Sequence, residues 1–211
     1  MIALDYNPKF HKKFIHACAG ALKSGKIIAY PTDTSYGLAV DATNIKAIKK
    51  LYRVKGRNFN KPVHIIPPSI GYSKNIVRWD KSANRLAKKF LPGPLTLVLP
   101  LNTKHLALST LSAKSGWLGI RMPKNNIALD LAKELGRPIT TTSANVSGGQ
   151  DCYSSADVLK QFKNQKFRPE VVINFGRLPK RKPSTVVKIQ NSQIEILRQG
   201  PITSKQIFNV I

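Results

Sequence analysis

Apolar positions along the chain recur at two spacings, one helical and one extended, that alternate from end to end. Phe14, Cys18, Ala21 and Leu22 fall at helical spacing in a segment over 8–24 that stops at Gly25, and the apolar run over 27–30 predicts a strand after it. A second helix is expected over 44–54. Asn44 can cap it, Ile45, Ile48, Leu51 and Tyr52 form its buried stripe, and Lys46, Lys49, Lys50 and Arg53 cover the solvent side. The pattern then gives an extended stretch over 63–66, a helix over 81–91 stopped by Pro92-Gly93-Pro94, and a strand over 95–99.

The second half predicts a strand over 118–121, a helix over 126–135 closed by Gly136, an extended segment over 138–142 and a helix over 154–163 capped by Ser154 or Ser155. Strands over 171–174, 185–189 and 194–197 lead to a short terminal helix. Such alternation predicts an α/β layer fold, and because the last strands lack helical crossovers the sheet should be mixed. A chain of 211 residues fits one domain, 1–211.

Charge changes the picture. Lys and Arg number 35 against 10 Asp and Glu, a formal net charge of +25, and the excess is spread over both halves of the chain. With 42% hydrophobic residues the chain is no disordered basic tail, so a folded protein bearing this self-repulsion is expected to meet a polyanion such as RNA, DNA or a nucleotide; a lysine-rich background is the plainer alternative. Two cysteines, Cys18 and Cys152, make no disulfide framework, which predicts a reducing, cytoplasmic home. No stretch reaches the ~18 apolar residues of a membrane span, and His16 interrupts the one run that resembles a signal segment.

Familiar chemical motifs fail on inspection. The segment over 20–26 has P-loop glycine and lysine spacing, but Ile27 stands where a hydroxyl should hold magnesium and the strand and helix come in the wrong order. His11 and His16 lack the spacing of a helical zinc pair, no protein metal site is expected, and no G-x-S-x-G elbow exists. Three loops at strand ends remain. One is the hydroxyl-rich Tyr30-Pro31-Thr32-Asp33-Thr34-Ser35-Tyr36-Gly37-Leu38, read as a strand entering a turn in which Gly37 relieves the backbone. Another is Lys55-Gly56-Arg57 with Lys61-Pro62; nine Lys or Arg and no acid lie between Asp41 and Asp80, so these cations are expected to seek phosphate. The third, over 140–149, ends a strand in hydroxyls, an amide and two glycines, groups that bond phosphate or ribose without adding charge.

Taken together, PTDTSYGL, K-G-R with K-P, PGPLTLVL, G-I-R-M-P, T-S-A-N-V-S-G, P-S-T-V-V and I-L-R-Q-G, in this order and over about 20–200, resemble the YrdC/Sua5 family of L-threonylcarbamoyladenylate synthases, in its short YrdC form. The resemblance implies a single-domain, twisted open α/β sheet flanked by helices, with a basic concave cavity. It implies a nucleotidyltransferase that converts L-threonine, bicarbonate or CO2, and ATP to threonylcarbamoyl-AMP and pyrophosphate, for the t6A modification at position 37 of tRNA. Magnesium would come with the ATP, and downstream threonylcarbamoyl transferase proteins would consume the product. Residue by residue, Thr34, Arg121, Thr141 and Ser184 match positions that hold threonine. Lys55, Arg57, Lys61, Ser143, Asn145 and Arg198 match positions around the nucleotide and its phosphates, with Lys55 and Arg57 expected to act in catalysis.

A carbamate already carries an anionic oxygen nucleophile, so its attack on the α-phosphorus needs positioning and cations more than a base. Two departures from the family pattern leave the details of the side pocket open: Ile66, where longer relatives often have a polar histidine near the threonine, and Phe59-Asn60 in place of the more usual lysine and aspartate. The main alternative is a non-catalytic protein of the same fold that binds double-stranded RNA or tRNA on its basic surface. Another is the carbamoyl-adenylate domain of hydrogenase maturation factors, whose zinc-finger-like cysteines are lacking here.

Overall fold

The computed structural model describes residues 1–102 and 105–211. In chain order it has β1 (Ile2–Asp5), a 3-10 turn (Pro8–Phe10), α1 (His11–Lys23), β2 (Ile28–Pro31), β3 (Tyr36–Ala39), α2 (Ile45–Lys55), β4 (His64–Ile66), α3 (Ile70–Ser73), α4 (Lys81–Phe90) and β5 (Leu95–Pro100). It continues with α5 (Leu106–Leu111), β6 (Trp117–Arg121), α6 (Asn126–Leu135), β7 (Ile139–Ser143), α7 (Ser155–Phe162), β8 (Val171–Asn174), β9 (Thr185–Gln190), β10 (Gln193–Arg198) and α8 (Ser204–Phe208). Ten strands form one mixed sheet in the order β1-β8-β2-β3-β7-β4-β6-β5-β9-β10. No helix among the described residues is long and apolar enough to cross a membrane.

The expected helices form for the expected reasons. Asn44 caps α2 by accepting from the amides of Lys46 and Ala47, Asp80 caps α4, Asn125 caps α6, and Ser154 caps α7. Gly56 and Gly136 end α2 and α6 in the left-handed conformation. On α2, Ile48, Leu51 and Tyr52 are buried as the stripe requires, Ile45 lies at its half-exposed start, and Lys50 leaves the solvent face to pair with Glu170.

Other elements departed from expectation. β3 occupies part of what reads as a turn, and Gly37 serves close packing inside that strand: a Cβ there would meet the Thr142 carbonyl and the Tyr30 ring at 3.3 Å. β1, α3 and α5 were not legible, being four to six residues long and too short for a period to show.

Strand alternation sends side chains to two cores. Ile27, Ala29, Leu38 and Ile65 join α2, α4, α5 and α7 on one face; Ile28, Tyr30, Ala39, Ile66 and Ile139 meet α1 and α6 on the other. On that second face the apolar cover stops partway. The next positions on that face are Thr141 on β7, opposite His64 on β4, and, on the adjoining strands, Arg121 on β6, opposite Thr96 on β5. Helices α1 and α6 thus leave the C-terminal portion of the sheet uncovered, and its exposed face is polar.

The β9 strand is fixed to the chain that follows β10 by one hydroxyl. Thr185 Oγ1, fully buried, accepts from the amides of Gly200 and Ile202 at 3.1 Å each and donates to the Ile202 carbonyl at 2.8 Å. Thr185→Val, equal in shape, strands both amides, and urea unfolding should show a loss of about 2–4 kcal/mol.

Candidate active site

The uncovered sheet face forms the floor of a cavity of about 330 Å³. Thr34, Arg57, His64, Arg121, Thr141, Ser143, Ser184 and Arg198 line it, with Asp151 as its one carboxylate. A second cavity, of about 840 Å³, opens beside it and shares Asp151; Tyr153, Lys160, Arg177 and Lys180 also line it.

Each lining group is set by its own backbone. Thr32 closes the β2–β3 turn, its Oγ1 donating to the Ser35 carbonyl at 2.7 Å and accepting from the Thr34 amide at 3.1 Å, and so presents the neighbouring Thr34 hydroxyl. Arg121, at the end of β6, donates one terminal nitrogen to Asp33 Oδ1 at 2.5 Å and to Thr34 Oγ1 at 2.8 Å. Its Nε is buried and has no hydrogen-bond partner among the described residues. A buried guanidinium donor without a partner costs free energy, a cost that the two charge-assisted contacts of the neighbouring terminal nitrogen offset.

Across the cavity, Ser184 Oγ lies 2.9 Å from Thr96 Oγ1. Arg198 reaches back to it, Nε donating to the Ser184 carbonyl at 3.0 Å and a terminal nitrogen to Ser184 Oγ at 3.1 Å. Gly200 makes this approach possible, since a Cβ there would lie 2.3 Å from the Pro183 carbonyl and 2.4 Å from the Thr185 nitrogen. Burial, and then the nearby Arg121 charge, lower the Arg198 pKa, a sign that the cavity is crowded with positive charge.

Lys55 differs from its expected setting. The cations around Gly56 read as free in a loop, but Lys55 ends α2 and is 1% exposed. Its ammonium donates to the carbonyls of Ser143 (2.6 Å) and Asn145 (2.9 Å) and to Asn145 Oδ1 (3.0 Å), so three neutral oxygens rather than a carboxylate hold it. Burial and then Arg57 push its pKa down to about 7. Asn145 is likewise buried, bonded to Ser143 Oγ (2.6 Å) and the Gly149 carbonyl (2.5 Å). Lys55 and Asn145 therefore form a layer beneath the lining and fix the 143–149 loop.

Arg57, released from the helix by Gly56, donates to the Pro62 carbonyl at 3.0 Å and lines the cavity. Lys61 is exposed and contributes its carbonyl, not its ammonium, to this packing. The structure thus gathers Thr34, Arg121, Thr141, Ser184, Arg57, Ser143 and Arg198 around one space, places Lys55 and Asn145 under it, and leaves Lys61 outside the lining.

A family model described as telomere recombination, Sua5/YciO/YrdC, matches residues 20–200. The chain belongs to the Sua5/YciO/YrdC family. A Methanocaldococcus jannaschii relative is 32% identical over 96% of this chain and 93% of its own length. The threonylcarbamoyl-AMP synthase of Pyrococcus abyssi is 31% identical over the whole chain, which spans 61% of that longer protein. The structure of P. abyssi Sua5 complexed with L-threonine superposes with a TM-score of 0.91 at 31% identity, covering 100% of this chain and 61% of that one. E. coli YciO superposes with a TM-score of 0.81 at 25% identity over 98% of this chain and 97% of that one.

Within this Sua5/YciO/YrdC fold the two expected departures do not reach the cavity. Ile66 is fully buried in the α1–α6 core, and the cavity's imidazole comes from His64, two residues earlier on the same strand face. Phe59 stacks on Tyr52 at 4.5 Å between ring centroids and is not part of the lining. Sequence reading missed His64, Asp33, Thr96 and Asp151. His64 had a signal, a polar residue inside an apolar strand; Asp33 and Thr96 sat inside quoted motifs without a role.

The Lys55 anchor is testable through folding alone. Lys55→Met leaves three oxygens without their donor and should lower unfolding free energy by about 2–3 kcal/mol. The pH dependence should change too. Between the folded pKa of about 7 and the ordinary lysine value of 10.5 the unfolded chain holds the proton and the folded chain does not, so stability from this group rises with pH across that window. Urea titrations at pH 7 and pH 9 should show that rise in the parent and its loss in the variant.

Proposed function

We propose that this chain is an L-threonylcarbamoyl-AMP synthase. The observation that carries the reading is Arg121, clamped by Asp33 and Thr34 at the edge of a cavity whose other polar groups are hydroxyls, two further arginines, His64 and a single carboxylate, Asp151. A carboxylate-bearing amino acid suits the guanidinium, and the hydroxyls of Thr34, Thr141 and Ser184 suit a substrate hydroxyl. Threonine's amine captures CO2, and the resulting carbamate oxygen attacks the α-phosphorus of ATP as the bond to the β-phosphate's bridging oxygen breaks and pyrophosphate leaves. Charge grows on phosphate oxygens in that step, and Arg57 and Arg198, with Ser143, stand where such charge can be met. Magnesium arrives bound to the triphosphate. The mixed anhydride product is consumed by a transferase that modifies tRNA in the cytoplasm.

Exposed Lys46, Lys49 and Arg53 on α2 offer a tRNA contact separate from this cavity; Lys50 is already paired with Glu170. A protein that only bound RNA would have no use for a pocket in which Arg121 is desolvated and partly unpaired, which favours the enzyme over the RNA-binding alternative.

With ATP, magnesium and bicarbonate, pyrophosphate release should require L-threonine, accept serine better than valine, and fall by about 10²–10³ in Arg57→Ala with folding intact. Release independent of threonine contradicts the reading. For the RNA contact, Lys46→Glu with Lys49→Glu should weaken tRNA binding severalfold and flatten its salt dependence while sparing pyrophosphate release. Unchanged binding at low salt removes α2 as the contact.

A further inference from the structure

Among the described residues His64 is the one nitrogen base in the cavity lining, and the chemistry above gives it no task. It sits opposite Thr141 of β7 on the same face of the sheet. On its other side β4 runs parallel to β6, where Gly119 leaves the space the ring fills: a Cβ on Gly119 would stand 2.4 Å from His64 Cδ2 and 2.7 Å from Cγ. Gly119 takes an ordinary backbone conformation, so the glycine is needed for this approach and not for a turn. Burial first, then Arg198, Arg121 and Arg57, lower the imidazole's pKa to about 4, and it stands as the free base at neutral pH.

Carbamate formation needs such a base. Threonine binds as its free amine, having left its ammonium proton in solvent. The nitrogen lone pair forms an N–C bond to CO2, one C=O pair moves onto oxygen, and the nitrogen then carries a proton it must lose. The cavity's hydroxyls are too weakly basic to take it. Of the nearby carboxylates, Asp33 is tied to Arg121, and Asp151 lies where the cavity meets its larger neighbour.

We propose that His64 accepts this proton, making it a catalytic residue for the capture of CO2 by the threonine amine; the inference rests on the synthase reading above. An N–H bond breaks, an imidazolium forms, and the carbamate is left as the anion that attacks ATP. The substrate carboxylate and the triphosphate offset the arginines while the proton is held. Once the anions leave, the same arginines drive the proton to water and restore the base.

The two directions of the reaction separate this role from the rest of the site. Pyrophosphate release from threonine, bicarbonate and ATP includes the proton transfer, whereas ATP formation from threonylcarbamoyl-AMP and pyrophosphate does not. His64→Gln, which keeps a hydrogen-bonding side chain, should lose about 100-fold or more in the forward direction, the scale of a lost general base, yet make ATP at close to the parent's rate. The reverse rate also reports that the variant is folded. His64→Gly should regain forward turnover when imidazole is added. Forward turnover unchanged in His64→Gln, equal losses in both directions, or no response to imidazole each overturn the assignment. A parent chain inactive in both directions overturns the synthase reading itself, together with this one.

Discussion

A guanidinium taken out of water is costly unless its partners are arranged in advance, and the ion pair between Arg121 and Asp33 meets that demand where the sheet changes character. The two side chains are 11% and 4% exposed. Asp33 belongs to the turn between β2 and β3, and Arg121 ends β6, so the pair spans β7 and β4 and joins the two halves of the sheet. Asp33 also accepts from the Lys124 amide through Oδ2, and its carbonyl accepts from Arg181, which ties the basic 180–183 loop to the cavity rim. Asp33 thereby fixes a strand turn and a strand end through its carboxylate and the basic segment through its carbonyl, all around a single space, and engages only one terminal nitrogen of Arg121.

The rest of the site follows from managing positive charge with few acids. Lys55 is held by carbonyl and amide oxygens, Arg57 by the Pro62 carbonyl, and Arg198 by Ser184. Neutral oxygens orient these cations without cancelling them, so the positive field in the cavity remains available to an anionic substrate. The acids elsewhere do structural work: Asp41 pairs with Arg137 and holds the Thr43 turn, and Glu170 receives both Lys50 and the Ile27 amide.

Long elements with caps were readable from the chain because their signals are local. Asn44, Gly56 and Gly136 act through their own helices, and α6 lies where its period and Gly136 placed it. The site was legible as a set of loops and, through family resemblance, as a set of residues. Depth was not legible. Whether a lysine points into a cavity or beneath it depends on which strand lies alongside, and Lys55, five residues from exposed Asn60, is buried by a loop 88 positions away. His64 shows the same limit: its meaning comes from Gly119 on a neighbouring strand and from three arginines far apart in sequence.

In the proposed synthase, Asp33 and Arg121 together form a prebuilt seat for the substrate's carboxylate. Calorimetric titration of L-threonine into the parent, Asp33→Asn and Arg121→Lys tests it directly. Lysine cannot reproduce the forked donor, and asparagine gives up the charged contact that holds the guanidinium in position, so each variant should bind threonine at least about tenfold more weakly, equivalent to about 1.4 kcal/mol. Threonine affinity that is unchanged in both variants would contradict the account.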